Sequence, residues 1–500
     1  MSFIRHIAAT SGIGYGVNIL EKTPPGRVTG RSTNVVGMVG DFPWGPTNEI
    51  TSISTAADFF STFCPPEFAA TDDYDALKAV LNKTFPGGLK VVRIAASSQA
   101  KSSHTFVDGS AGDSIDVTAK YPGVLGDSIT VEFSVNADDA NAVDMTVTVG
   151  DYSQTYEAVA TTTGSLSLTD PGDPFVDIAL SSGATDVPAA ASSALSGGSD
   201  GAAVAGDYVG SSSSNVGIRT FYGEAVDVDV LFVAECPASL ADAVNTGLEA
   251  YGVDTDKGVA VLCSPAGQSL ADAKTYLSTN SIADDRSVYC WPRVKTANRY
   301  AADNAAVEVD NNSFVAAAIA SVDPEVSPGG ASGAPFLNGI SALADTSASR
   351  TDYDELNDAG VAGISISTPL GGAFIRRAVT TDTTSGKEKL FRRRMTDFIV
   401  EAIADRAVFF VETPLDLDLS NQELGPNTSA FIGEIDAFLA GLEGAERIQD
   451  YSIDAFSGNT SANIAAGRWV IQLAVKLYSM AEEIVLEATI GEGVEINEAA

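Results

Sequence analysis

Residues 227–265 read "DVDVLFVAECPASLADAVNTGLEAYGVDTDKGVAVLCSP". Two near-continuous apolar runs, "DVDVLFVAEC" and "GVAVLCSP", flank a segment with helical spacing, and a third run, "RSVYCWP", follows "SLADAKTYLS". Apolar residues on successive positions describe strands covered on both faces, and helix-period segments between them are crossovers. Strand–helix–strand units of similar length predict a parallel sheet with helices packed on it. Each helical segment opens with Ser-x-x-Asp, Ser239/Asp242 and Ser269/Asp272, the pattern of a capping box. Cys236, Cys263 and Cys290 are 27 apart twice over. That spacing reads as equivalent strand ends one repeat apart rather than as a redox motif, because free cysteines are usually buried and inert. "NSFVAAAIASVD" adds a helix and "VAGISISTP" a further strand.

A similar unit precedes it at 34–95. "TNVVGMVG" predicts a strand, "STAADFFSTF" a helix capped by Ser54 or Thr55 with Asp58 in its first turn, "YDALKAVLNKTF" a second helix, and "LKVVRIAA" a strand. The turn between the first two, Asp41-Phe-Pro-Trp-Gly45, sits where a phosphate loop would. It lacks the Gly-Lys-Ser/Thr that such a loop needs and holds an anion and rigid prolines instead. "GIGYG" at 12–16 has neither a strand before it nor a helix after it. Both read as structural turns.

Around these units the composition changes. Residues 100–205 lose helical periodicity and become rich in Ser, Thr, Gly, Asp and Val, with alternating stretches such as "SITVEFSV" and "DMTVTVGDYSQTYEAV"; they predict an inserted antiparallel β domain. In "GYGVNILEK", Tyr15, Val17 and Ile19 alternate as in a strand with no adjacent hairpin partner, an arm that must find its sheet elsewhere. Toward the C-terminus, Ser385 and Glu388 suggest a capping box for "GKEKLFRRRMTDFIVEAIADR", in which Phe391, Met395, Phe398 and Ala402 share a face. "TSAFIGEIDAFLAGLEG" places Phe431, Ile435, Phe438 and Leu442 together, with Ile432 and Leu439 beside them. Three strands are expected after it, "RIQDYSIDAF", "RWVIQLAVKLY" and "EIVLEATIG", with Trp469, Ile471, Leu473, Val475 and Leu477 facing one way.

The fold class expected is multidomain α/β. It comprises an N-terminal arm (1–22), the first part of an α/β region (23–99), the inserted antiparallel β domain (100–205), a parallel α/β core (206–380) and an α+β C-terminal domain ending in a strand arm (381–500).

Several function classes are disfavoured. The 500 residues carry 66 Asp and Glu against 29 Lys and Arg, a net charge of −37, which repels nucleic acid and anionic membranes. Four scattered cysteines and two histidines give a zinc site or a disulfide framework little to be built from. No segment approaches the ~20 apolar residues of a membrane span. The opening "MSFIRHIAATSGIGYG" has no signal-peptide run, so folding in a cytoplasm is expected. His6 lies in the arm and His104 at the edge of the inserted domain, away from the strand ends where α/β enzymes place their chemistry. No catalytic residue, cofactor or metal is assigned. One cluster stands out: Arg376, Arg377, Lys387, Lys389, Arg392, Arg393 and Arg394 hold seven of the 29 basic residues within nineteen positions. It is read either as local pairing with carboxylates or as a surface for an acidic partner.

The ordered set of motifs resembles contractile tail sheath proteins of myoviruses and related contractile particles. "GYGVNILEKTPPGRVTG" and "VVGMVGDFPWGPTNEITSIST" resemble the family's N-terminal signature. "TAKYPGVLGDSITV" (118–131) is similar to its Ala-Lys-x-Pro-Gly-x-x-Gly-Asn motif, with Asp127 where Asn is usual, and "LSGGSDG" resembles the exit from the insertion. "RRRMTDFIVEAI", "FIGEIDAFLAGL" and "GRWVIQLAVKLYSMAEEIVLEATI" resemble the terminal domain. The resemblance implies a non-catalytic core likened to subtilisin, an outward β insertion and a C-terminal domain beside an inner tube. It also implies arms that add strands to neighbouring subunits. For this sequence it points to strand exchange through Tyr15, Val17, Ile19, Ile484, Leu486, Ala488 and Ile490, hinges near Thr23–Arg31 and Ser457–Gly467, and tube-facing Lys389, Arg392 and Arg393. The partners implied are further copies in a helical sheath, a tail tube protein, and baseplate and tail terminator proteins, in a virion tail assembled in the host cytoplasm. The competing reading is a cytoplasmic α/β hydrolase or ligand-binding protein with an inserted β domain.

Overall fold

The computed structural model describes residues 4–6, 17–19, 34–68, 88–162, 165–223, 228–297, 306–330, 336–367 and 371–480. The predicted helix "YDALKAVLNKTF" and the last predicted strand, "EIVLEATIG", lie outside them. The chain divides into two compact units, 32–397 and 1–31 with 398–500.

The larger unit is built on an eight-stranded sheet. In chain order its strands are β1 (Val36–Gly40), β2 (Thr51–Ile53), β3 (Leu89–Arg93), β4 (Val230–Ala234), β5 (Val259–Val261), β6 (Ser287–Trp291), β7 (Val361–Ser367) and β8 (Gly372–Ile375). They lie in the order β8-β7-β6-β5-β4-β1-β3-β2. All pairs from β7 to β3 are parallel, and β8 and β2 close the two edges antiparallel. Side chains alternate between two buried layers. Val36, Met38, Val230, Phe232, Val259, Val261 and Val288 enter one apolar cluster. Val39, Leu231, Val233, Ala260, Leu262 and Tyr289 enter the other. Period-2 alternation with both sides apolar is why the sequence runs read as continuous. Each fully buried Val, Leu or Phe stabilises by roughly 1.5–3 kcal/mol.

The helices cover these layers. Helix 241–255 buries Ala241, Val244, Leu248 and Tyr251 on one stripe. Helix 312–320 is buried at all nine positions, which its Ala-rich, all-round apolar sequence permits. Thr55 caps helix 56–63 in a full capping box with Asp58, as expected, and Ser269 does the same with Asp272 for helix 270–280. The Ser239/Asp242 box is not formed. The chain enters helix 241–255 from a Pro237–Leu240 turn with no side-chain cap, and the Asp242 carboxylate accepts from Tyr276 Oη at 2.7 Å instead. The core is also less uniformly parallel than expected: strands 294–297, 306–309 and 340–343 form a separate antiparallel sheet.

All strands from 103 to 194 pair antiparallel, in sheets of five and three. Phe106, Ile115, Val117, Val131, Phe133, Met145 and Val147 fill the space they enclose.

In the smaller unit the helix Leu390–Ala407, which begins in the larger unit, contributes residues from 398 on. Phe391, Met395, Phe398 and Ala402 are all buried, as their spacing requires. Helix 426–444 starts on Pro426, whose missing N–H costs nothing there. It buries Thr428, Phe431, Ile435, Leu439 and Leu442. Leu439, expected beside the stripe, is buried with it, and Phe438 is half-buried. Strands 450–454 and 472–476 pair antiparallel.

Candidate assembly site

The corner at 41–46 is organised around a cation that belongs to the chain. Arg93, 1% exposed at the end of β3, donates Nε–H to Phe42 O at 2.6 Å. Its Nη1 donates to Gly45 O at 2.8 Å, and Nη2 to Pro122 O at 2.8 Å and Pro43 O at 3.4 Å. The loop therefore turns carbonyls inward, the reverse of a phosphate loop, whose amides must face the ligand. Gly45 adopts φ +97, and a Cβ there would stand 2.7 Å from Thr62 O. Trp44 leaves this corner and enters the core of the antiparallel insertion. Its ring centroid lies 4.7 Å from Phe68, 5.5 Å from Tyr121 and 6.2 Å from Phe175. Burial raises the Asp41 carboxyl above its usual range, against the lowering field of Arg93.

The carboxyl ends of the parallel strands, where α/β folds bind ligands, are closed by the chain's own side chains. Asn312 Nδ2 donates to Val233 O at 2.6 Å, Asn245 Nδ2 to Cys263 O at 2.9 Å, and Asn311 Nδ2 to Cys290 O and Pro292 O at 2.9 Å each. Asp310, fully buried, accepts from Ser264 N at 3.1 and 3.2 Å and lies 3.8 Å from the Arg293 guanidinium. Burial raises its carboxyl to about 6 against the lowering field of Arg293. A cavity of about 300 Å³ beside it is lined by Ser264, Gln268, Arg293 and Glu308 among others. Arg293 is already met by Glu235, Glu308 and Asp310. His104 Nδ1 faces Ser193 Oγ at 3.4 Å on the strands of the insertion, too long for an activated nucleophile, and Ser193 Oγ also donates to Ala194 O.

The basic segment is largely engaged within the chain. Arg393 pairs with Asp285 and Asp397, and Asp397 also accepts from Arg286 Nη1 at 2.7 Å. Buried Arg394 donates to Val322 O at 2.9 Å and Asp323 O at 3.3 Å, just beyond helix 312–320. Burial lowers its guanidinium to about 10. Arg376 lies 4.5 Å over the Tyr353 ring, Lys387 is 3.5 Å from Asp382, and Arg392 is 3.6 Å from Glu388. Lys389 forms a backbone bridge with Val379. The Ser385/Glu388 capping box is not formed, because the helix begins only at Leu390. Thr380 N donates to Glu388 O and Leu390 N to Ala378 O, so 384–389 forms a turn and a single bridge ahead of the helix, and the Glu388 carboxylate takes the Gly386 N–H. Asp285 and Arg286 were not legible as partners, since they reach Arg393 and Asp397 across more than a hundred residues.

In the smaller unit, Ile471, Leu473, Val475 and Leu477 share a face but are only half-buried, and Gln472, Ala474 and Lys476 alternate outward. Among the described residues this sheet has two strands, which leave an outer edge each and do not cover their apolar face. A cleft of about 880 Å³ beside it is lined by Ile403, Phe410, Phe431, Ile435, Trp469 and Leu473 among others. Nearby in sequence, Val408, Phe409 and Val411 are 69%, 70% and 65% exposed. Residues 457–467, the expected second hinge, hold a short helix 461–465 capped by Thr460. Asn459 Nδ2 and Trp469 Nε1 tie the ends of this segment to Val470 O and Ala455 O. Of the expected exchange residues, Val17 and Ile19 lie in strand 17–19, which pairs in parallel with strand 4–6 of the same chain. The sequence offers this stretch no hairpin partner, and the partner it has within the chain is a parallel one. Tyr15, Ile484, Leu486, Ala488 and Ile490, and the hinge at 23–31, lie outside the described residues.

No family model matches the chain. Over 121 residues, 24% of its length, it is 33% identical to the tail sheath protein of Enterobacteria phage T4, and the match spans about a sixth (17%) of that protein. Its fold is similar to that of a sheath tail protein from Listeria innocua, with a TM-score of 0.60 at 16% identity, covering 90% of this chain and 96% of that one. A sheath tail protein from Desulfitobacterium hafniense gives 0.60 at 17% identity over 93% and 100%. The contracted helical sheath of the anti-feeding prophage gives 0.57 at 14% identity over 97% and 99%. The resemblance read from the sequence motifs is therefore borne out. The chain is a homologue of a tail sheath protein over that stretch, and it carries the mixed α/β fold of sheath proteins of contractile systems.

Proposed function

We propose that this chain is the structural subunit of a contractile sheath. Copies polymerise helically around an inner tube in an extended state and shorten on a trigger from a baseplate, driving the tube through a host envelope. The observation that carries this reading is a sheath-protein fold spanning nine-tenths or more of the chain, together with the 121-residue match to a tail sheath protein. The closed strand ends and the carbonyl-lined corner at 41–46 favour a structural role over the hydrolase alternative. Free energy stored at assembly does the work, and head-to-tail contacts that do not close into a ring propagate as a helix.

Within this reading, the half-covered sheet 450–454/472–476 receives strands from neighbouring copies, with main-chain hydrogen bonds supplying affinity. The donors are the arms containing Tyr15, Val17 and Ile19 and containing Ile484, Leu486, Ala488 and Ile490. Lys389, Arg392 and Arg393 face the tube, Arg393 through the pair it already makes with Asp285 and Asp397. Tail terminator and baseplate proteins cap the ends, and the particle is put together in the host cytoplasm. The test is deletion of residues 1–20 or 483–500: each is expected to abolish tubes while leaving a folded monomer. Normal tubes from both deletions would refute the exchange.

A further inference from the structure

The sequence contains a single Asn-Gly pair, Asn338-Gly339, within "FLNGI" at 336–340. The pair forms the turn that leads into strand 340–343 of the separate antiparallel sheet. Both ends of this turn are held. Before it, Leu337 is buried, and its N–H donates to Ala373 O of β8 at 2.8 Å. After it, Gly339 O accepts from Thr296 Oγ1 at 2.8 Å, and Ile340 pairs with Thr296. The turn itself is open. Asn338 and Gly339 are both exposed, Gly339 has φ +94, and a Cβ built on it would meet nothing closer than Phe314 at 3.7 Å. Among the described residues, neither the Asn338 carboxamide nor the Gly339 N–H has a hydrogen-bond partner.

Comparable groups elsewhere are engaged. Exposed Asn141 and Asn421 donate Nδ2 to the carboxylates of Asp139 at 3.2 Å and Asp418 at 2.8 Å. In the Asp-Gly pairs, Asp108 Oδ1 accepts from Ser110 N and Gly112 N at 2.8 and 2.9 Å, and Asp200 Oδ1 from Val124 N at 2.9 Å. We propose that Asn338 is a site of spontaneous modification, at which its carboxamide condenses with the Gly339 nitrogen and is then hydrolysed to aspartate and isoaspartate. Nucleophile and carbonyl belong to adjoining residues, so the attack closes a small ring without a bimolecular encounter. Glycine has no Cβ to shield its nitrogen or to restrict the backbone as the ring closes. The Gly339 nitrogen gives up its proton to base and bonds to Asn338 Cγ. The Cγ–Nδ2 bond breaks, and Nδ2 takes up a proton and leaves as ammonia. Water then adds to either carbonyl of the cyclic imide, and the C–N bond at that carbonyl breaks. Opening at Cγ gives aspartate, and opening at the main-chain carbonyl gives isoaspartate. One water is consumed and one ammonia released, with no change of oxidation state. Either product adds a negative charge to a chain already at −37. Isoaspartate also inserts a methylene into the main chain between Leu337 and Ile340, which are tied to different strands, so strand 340–343 cannot keep both its register with 294–297 and the Thr296–Gly339 bond. This chemistry depends on the fold of the single chain and not on the assembly proposed above.

The test incubates the intact folded protein at mildly alkaline pH, with peptide mapping by mass spectrometry and enzymatic methylation of isoaspartate as the two readouts. The peptide holding Asn338 is expected to gain the mass of an NH2-to-OH exchange and to split into two products of equal mass, of which only one accepts the methyl group. Its conversion should be about tenfold faster than that of Asn141 or Asn421 in the same sample. Because the turn is open, folding should slow the reaction by no more than about threefold relative to the same chain in urea. Asn338→Gln, which must close a larger ring, is expected to leave that peptide unchanged over the same period. A wild-type chain in which Asn338 converts no faster than Asn141 and Asn421, or is slowed more than about threefold by folding, overturns the proposal. Both comparisons use the wild-type chain and require no variant to fold.

Discussion

Replacing Arg93 with methionine removes the group around which the 41–46 corner is built. Three carbonyls, of Phe42, Gly45 and Pro122, now receive N–H donors at 2.6–2.8 Å from a side chain 1% exposed. Each buried acceptor left without a donor costs about 1–3 kcal/mol. Against that sum stands the cost of holding a guanidinium out of water, which the methionine removes and which amounts to several kcal/mol. The net loss expected is about 3–5 kcal/mol, the range for breaking a buried ionic arrangement from one side. At a few degrees per kcal/mol or less in a unit of this size, the melting midpoint should fall by about 5–10 °C. Arg93→Lys keeps the charge but cannot fan donors toward carbonyls on several sides, so an intermediate loss is expected. Calorimetry gives the midpoints, and amide exchange at residues 42–47 locates the loosening. If both variants melt within about 2 °C of the wild type, the corner does not depend on this guanidinium.

Trp44→Ala empties the contact with Phe68, Tyr121 and Phe175 and is expected to cost about 3–5 kcal/mol, read by urea melts. A loss under about 1 kcal/mol would mean the insertion does not depend on this plug. The Asp310 carboxyl is raised to about 6 in the fold against an ordinary 3.8. The folded state thus holds a proton that the unfolded chain has lost, and this group's contribution to stability grows as pH falls from 7 through about 6 toward 4. The stability of wild type minus that of Asp310→Asn should be greater at pH 4.5 than at pH 7, by on the order of 2 kcal/mol at about 1.4 kcal/mol per pKa unit. No difference, or the opposite sign, would show that Asp310 is not raised. Copies carrying a net −37 repel one another over a screening length that shrinks from ~10 Å at 0.1 M salt to ~3 Å at 1 M. The polymer measured by sedimentation should therefore increase with ionic strength, and a polymer that dissolves with added salt would contradict this.

The parallel sheet was legible because its strands are buried on both sides and carry continuous apolar runs; helices 56–63 and 270–280 because their capping pairs are three residues apart and local. What failed did so where a distant group competed. Tyr276 takes the Asp242 carboxylate that would have capped helix 241–255, and the bridge from Val379 to Lys389 holds the helix start at Leu390, past the Ser385/Glu388 pattern. The Pro-Trp-Gly corner was recognisable as a turn unsuited to phosphate. Its anchor, Arg93, lies about fifty residues on, and nothing local marks that arginine as buried. The same holds for Asn312 and Asn311, which read as polar starts of an apolar helix and serve to close the strand ends of β4 and β6. The basic run 387–394 was visible as charge, but the carboxylates that hold Arg393 come from Asp285, 108 residues away, and from Asp397 on the same helix.

The most direct test of a sheath subunit is electron microscopy of the purified full-length protein, negatively stained, at high concentration and moderate salt. Striated hollow tubes with a helical repeat are the predicted result. Single particles of the 51.5 kDa chain at every concentration and ionic strength, with and without a co-expressed tube protein, would contradict it.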